Sequence, residues 1–403
     1  MDSTINAAAQ ALASGDVLGA LKRVALRDDP SALALHGIAM AQLGDFARAK
    51  TLLKTAARRF GRREPVAQAR CVVAEAEIAL VSRDLAWPPE RLEESANVLA
   101  LRGDAQNAAH ARCIAARRSL LLGQLDTAEA GLAGLDPARL SPMLRASYFL
   151  VDAGIHIRRI RATAAQQALA QAHAAALLSG IPALIAEVEA AQESLSGPVA
   201  LLNRGRRMEA VGLDGVEQLL ASDTLVIDTT RNVLRQRDEV IALSSRPILF
   251  ALLRTLAEAW PGDAPRENLL RQAFNARHAD ESHRGRLRVE IARLRQAIAP
   301  LAAISATARG FNLAARTTDD LAVLTSPLDS QNAAVMALLA DGEAWSSSAL
   351  ALALGTGIRT VQRALTQLQE QQQVQSIGRG RAQRWTMLTV PGFPRTLLLP
   401  QAR

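Results

Sequence analysis

Ser282-His283-Arg284-Gly285-Arg286-Leu287-Arg288-Val289-Glu290-Ile291-Ala292-Arg293-Leu294-Arg295-Gln296-Ala297-Ile298 is the stretch whose reading decides the fold of the C-terminal half. Leu287, Ile291, Leu294 and Ile298 recur at helical spacing and make one apolar stripe. The other faces hold Arg284, Arg286, Arg288, Arg293 and Arg295. The pattern predicts an amphipathic helix over 282–298 with a buried side and a cationic side. A charge run alone usually means a solvated surface, so the flanking elements must decide.

Upstream, Leu225-Val226-Ile227 and Val240-Ile241-Ala242-Leu243 are short β-prone runs around a polar turn. Ser244 and Ser245 supply a helix cap before Pro247, and Ile248, Leu252 and Leu256 share one helical face. Gly262 and Pro265 turn the chain into a helix with Leu269, Leu270 and Phe274, followed by the polar loop 275–282. Downstream, Ile304–Leu313 reads as a hairpin bending at Arg309-Gly310. Strands, three helices and a terminal hairpin in this order resemble the winged helix-turn-helix of the OmpR/PhoB type, over residues 222–316. The resemblance implies double-stranded DNA as partner, with Arg286, Glu290 and Arg293 facing the groove and Arg309 as the wing contact. Arg284 and Arg288 join them on the basic helix, since guanidinium groups suit phosphates and guanine edges. The phospho-accepting receiver domain usual in that family is missing from this sequence, which argues against regulation by Asp phosphorylation.

Residues 330–390 carry a second such pattern, after a linker at 317–329. Asn332–Leu339 and Ala349–Leu354 read as helices, the latter capped from Ser346-Ser347-Ser348, and Gly355-Thr356-Gly357 turns into a helix over Ile358–Gln371. Val361, Leu365 and Leu368 form its apolar stripe, leaving Arg359, Thr360, Gln362 and Arg363 outward. Val374–Ile377 and Gln383–Met387 flank the basic bend Gly378-Arg379-Gly380-Arg381. This string resembles the recognition helix and wing of bacterial winged-helix repressors, which implies Arg379, Arg381 and Arg384 as wing contacts. The apolar, Pro-punctuated tail 391–403 is expected to pack back on the chain as a final strand, with insertion into a partner as the alternative.

Residues 1–220 show helical periodicity with Gly- or Pro-containing breaks and no strand signal. Gly37, Gly44, Phe46, Ala49, Leu53 and Ala56 fall at the spacing of small contacts, turn and packing knobs in a tetratricopeptide repeat. Ala8, Gly15, Val17, Ala20 and Val24 repeat it, as do Ala116, Gly123, Leu125, Ala128 and Leu132. The half resembles a tetratricopeptide-type solenoid, which offers a face for a peptide, another protein or a second copy. The expected fold is therefore mainly α, a helical-repeat solenoid followed by two small α+β winged helix-turn-helix domains.

Composition agrees with helices: 49% of the 403 residues are hydrophobic but only 3% aromatic, so the core must come from Ala, Leu, Val and Ile. The formal charge of +8 suits a polyanion. The total is weak support, because nearly all cations are Arg and the placement must decide. Cys71 and Cys113 lack metal-ligand spacing and read as buried thiols in a reducing cytosol. The opening Met1-Asp2-Ser3-Thr4 has no signal-peptide pattern, and no stretch is apolar enough to span a membrane. No phosphate loop, nucleophile elbow or HExxH helix occurs. His278, Asp280 and His283 read as solvent- or phosphate-facing loop residues. The sequence thus predicts a cytoplasmic, non-enzymatic DNA-binding regulator with no metal or cofactor. The competing reading is a scaffold whose repeats and winged helices grip proteins.

Overall fold

The computed structural model describes residues 2–205, 207–274, 281–325, 332–339, 344–371 and 373–387. The chain is mainly helical, with eighteen α-helices and three small sheets among the described residues. It divides into two compact units. One holds the described residues of 1–159, 164–192 and 331–403, and the other those of 160–163 and 193–330.

The first unit opens with α1 (Ser3–Ala13), α2 (Val17–Val24), α3 (Pro30–Gln42), α4 (Phe46–Phe60), α5 (Pro65–Val81), α6 (Pro89–Leu101), α7 (Ala105–Leu121) and α8 (Leu125–Ala133). Consecutive helices pair into hairpins that pack side by side. The turns at Gly15, Gly44 and Gly123 take φ of +81°, +83° and +74°, a conformation that costs L-side chains energy. Asp16 and Asp45 then cap the next helix, accepting from the amides of Gly19 and Arg48 at 2.8 and 3.1 Å. A Cβ on Gly37 would lie 2.9 Å from Leu53 Cγ, so the small residue sets how closely α3 meets α4. α9 (Pro142–Arg158), α10 (Ala162–Ser179) and α11 (Pro182–Ser196) follow, and Leu144, Ala172, Ala176 and Leu184 join them in one cluster. Cys71 and Cys113 are buried free thiols, and burial pushes both up to about 12, with Glu75 adding to the rise at Cys71.

The second unit begins upstream of the expected boundary at 222. β1 (Ala200–Arg204), β2 (Arg207–Val211) and α12 (Leu213–Ala221) lie within the part read as strand-free. Then come β3 (Leu225–Asp228), β4 (Val233–Gln236), β5 (Glu239–Ala242), α13 (Pro247–Ala259), β6 (Ala264–Pro265), α14 (Arg266–Phe274), α15 (Glu281–Ile298), β7 (Ala302–Ala306), β8 (Gly310–Ala315) and β9 (Leu321–Thr325). β9 occupies the segment expected as a linker. It sits inside a six-stranded sheet of order β2-β1-β9-β3-β4-β5, antiparallel to β1 and parallel to β3. Leu321 and Val323 enter one core with Leu252, Ile291 and Leu294, while Ala322 and Leu324 enter another with Leu202, Val216 and Val226. Burial on both faces explains its unbroken apolar run. α13 is capped at Arg246, not at Ser244 or Ser245, with Pro247 in its first turn.

The chain ends, among described residues, with α16 (Ala333–Leu339), α17 (Ser347–Ala353), α18 (Ile358–Glu370), β10 (Val374–Ile377) and β11 (Arg384–Met387). Expected as a separate domain over 330–390, these elements share a core with the helical hairpins. Trp345, Leu350, Val361, Leu365 and Trp385 form one apolar cluster with Val72, Leu80, Leu85 and Ile114. Their apolar faces find further partners on α5, α6 and α7, so no core boundary falls at residue 330. Residues 391–403 lie outside the described part.

Candidate nucleic-acid interface

α15 is held by its stripe. Leu287, Ile291, Leu294 and Ile298 are each 3% exposed or less. Arg284, Arg286, Arg288, Arg293 and Arg295 are exposed. Glu290, expected to face outward, is buried instead. It lies three residues after Leu287 and four before Leu294, which places it beside the stripe. There it accepts a 2.8 Å hydrogen bond from Arg293 Nη1. The exposed side of α15 from His283 onward therefore shows no carboxylate.

Several guanidinium groups are already fixed by protein partners. Arg286 stacks over the Phe274 ring, 4.7 Å from its centroid. Arg295 donates from Nε to the Ile304 carbonyl at 2.8 Å and lies beside Phe311. Arg284 and Arg288 have no partner among the described residues. Such anchoring lowers the entropy lost when a guanidinium meets a second anion.

The hairpin β7–β8 carries Arg309 exposed at its bend. Gly310 donates its amide to Thr307 Oγ1 at 3.0 Å. Arg266, absent from the sequence reading, fastens the bend from α14: its Nη1 and Nη2 donate to the carbonyls of Ala308 and Thr307 at 2.9 and 3.0 Å. Its guanidinium also covers Phe311. Nothing in the sequence marks this arginine, because the contact spans some forty residues.

α18 repeats the arrangement in the other unit. Val361, Ala364, Leu365 and Leu368 are buried, and Arg359, Thr360, Gln362 and Arg363 are all exposed. Neither Arg359 nor Arg363 has a partner among the described residues. Ser346 caps α17, accepting from the Ala349 amide at 3.1 Å. β10 and β11 pair antiparallel with Ile377 opposite Arg384. The connection between them is longer than a simple bend and contains a turn of 3-10 helix over Gly380–Ala382. Arg379 is exposed, Arg384 is half-buried with Nη1 on the Gln383 carbonyl, and the side chain of Arg381 lies outside the described part.

Comparison with family models, with characterised proteins and with solved structures gives no match. No helix among the described residues is long and apolar enough to cross a membrane. His278 and Asp280 lie outside the described residues, and no described cluster of His, Cys, Asp and Glu could hold a metal. His110, His156 and His173 each lie within 3.8 Å of a carboxylate oxygen, of Glu77, Asp152 and Glu189 in turn. The helical hairpins also enclose an open groove of about 750 Å³, lined in part by Ala79, Trp87, Leu92, Arg112 and Arg118. Arg118 there is half-buried, and burial holds its guanidinium below the usual arginine range.

Proposed function

We propose that the chain is a cytoplasmic, non-enzymatic regulator that binds double-stranded DNA in a sequence-specific manner. In this reading β3 to β8 form a winged helix-turn-helix of the OmpR/PhoB type. α16 to β11 form a second winged helix. The helical hairpins form a tetratricopeptide-like array that receives a protein, a peptide or a second copy. One observation carries the reading: α15 and α18, in different units, bury the same pattern of four positions and turn arginines outward. Each is followed by a hairpin with an exposed arginine. Apolar stripes alone would account for packing. Their pairing with outward cations and basic hairpins fits a helix laid against phosphates.

Capture of genomic fragments by the full chain, sequenced at low and moderate salt, tests this. A recovered motif that survives moderate salt is the expected result. Arg309→Ala should weaken binding to all sequences and reduce the slope of log K against log salt by about 1. Retention of all sequences, lost together as salt rises, would leave only a basic surface and overturn the proposal.

A further inference from the structure

α15 and α18 present opposite charge patterns on equivalent positions. A helix advances about 100° per residue, so residues three, four and seven apart share a side. With the buried stripe at 287, 290, 291 and 294, the line farthest from the core of α15 is Gly285, Val289, Ala292 and Gln296. Val289 is a large apolar side chain left 51% exposed. Arg286 and Arg293 run along one flank of this line, and Arg288 and Arg295 along the other. In α18 the stripe at 361, 364, 365 and 368 places Arg359, Arg363, Thr366 and Glu370 on the outermost line. Its flanks are uncharged: Thr360 with Gln367, and Gln362 with Gln369. One helix has a neutral ridge between cationic rails, and the other a charged ridge between amide and hydroxyl rails.

These ridges suit different base pairs. Val289 and Ala292 can offer only apolar contact, which in the major groove means the thymine methyl, and Gln296 can pair with the N6 and N7 of adenine. The arginines on either flank are then placed for the phosphates of the two groove walls, which carry no sequence information. Arg359 and Arg363, free of partners among the described residues, can each take O6 and N7 of guanine, and Glu370 can accept from the N4 of cytosine. Resting on the DNA-binding reading above, we infer that the target is a two-part site of unlike composition: an A·T block read by the Val289 ridge of α15 and a G·C block read by the Arg363 ridge of α18. Arg286 and Arg293 then serve as phosphate contacts and not as base readers.

Selection of bound duplexes from a random library by the full chain tests the assignment, alongside Val289→Ser and Arg363→Gln. Both positions are exposed, and circular dichroism checks that each variant keeps its helix content. The wild type should return both blocks. Arg363→Gln should cut the preference for the G·C block about ten- to a hundredfold and leave the A·T block. Val289→Ser should weaken the A·T block alone. A second measurement leaves the protein untouched: uracil in place of thymine in the A·T block removes only the methyl groups. It should weaken wild-type binding about fourfold per contacted methyl and weaken Val289→Ser less, because the methyl met by Val289 has already lost its partner there while that met by Ala292 has not. A motif unchanged by Val289→Ser, or a G·C block unchanged by Arg363→Gln, would overturn the assignment while DNA reading stands. A wild type that returns no motif would overturn both.

Discussion

Trp345→Ala should lower the stability of the first unit by about 3–5 kcal/mol, the range for deleting a fully buried aromatic side chain. Trp345 is 0% exposed in a cluster fed by α5, α6, α7, α17 and α18, and the Arg83 guanidinium lies 5.3 Å from its ring centroid. Its backbone exchanges hydrogen bonds with Trp385 at 2.9 and 2.7 Å, which the substitution spares. Hydrogen exchange followed by mass spectrometry is the discriminating measurement. The expected result is a joint loss of protection in α17, α18 and α5, because one core serves them all. Trp345→Phe should recover most of the stability. If α18 loosens while α5 keeps full protection, the two sets of elements do not share a core.

Gly310→Ala should cost about 3 kcal/mol, at the upper end for forcing an extra carbon into a packed site. A Cβ there would lie 1.8 Å from the Ala264 carbonyl oxygen and 3.1 Å from Pro265 Cα. Both are backbone atoms of β6, whose pairing with β8 runs through Pro265 and Gly310, so no side chain can swing away. The strands must part, releasing the bend that Arg266 fastens. Exchange protection in β6 and β8 is expected to fall, and thermal unfolding of the second unit to begin earlier. Gly285→Ala is the contrast. Its Cβ would meet nothing within 4 Å, and alanine in a helix should add about 0.5–1 kcal/mol. Equal effects at the two glycines would refute the argument from close approach.

Much of this architecture can be read from side-chain pattern. The stripes of α15 and α18 are visible as spacing, and the turn glycines of the helical hairpins mark positions where φ is positive. What escaped has physical causes. Leu321–Thr325 is an apolar run too short to be told from a linker, and a strand buried on both faces lacks the alternation that announces one. Ala200–Arg204 is rich in leucine, which favours helix as readily as strand. The family resemblance turns Glu290 outward, whereas its angular position beside the stripe governs, with Arg293 pairing with it. The shared core around Trp345 is a contact between distant segments that no local window reports. Arg266 is hidden for the same reason.

β9 also sets an order in time. Between β1 and β3 it is the last strand of the second unit to leave the ribosome, yet it occupies a central place in the sheet. Until residue 325 has been synthesised, β1 and β3 each present a raw edge of unpaired amides and carbonyls. The nascent unit must therefore wait, half-made, for its keystone. A gene fragment cut at 222 would deny β9 its neighbour β1, and one ended at 316 would leave out the keystone itself. Pieces trimmed at these seemingly natural borders are expected to cling to one another, and a span that keeps both β1 and β9, from Glu193 through Thr325, is expected not to.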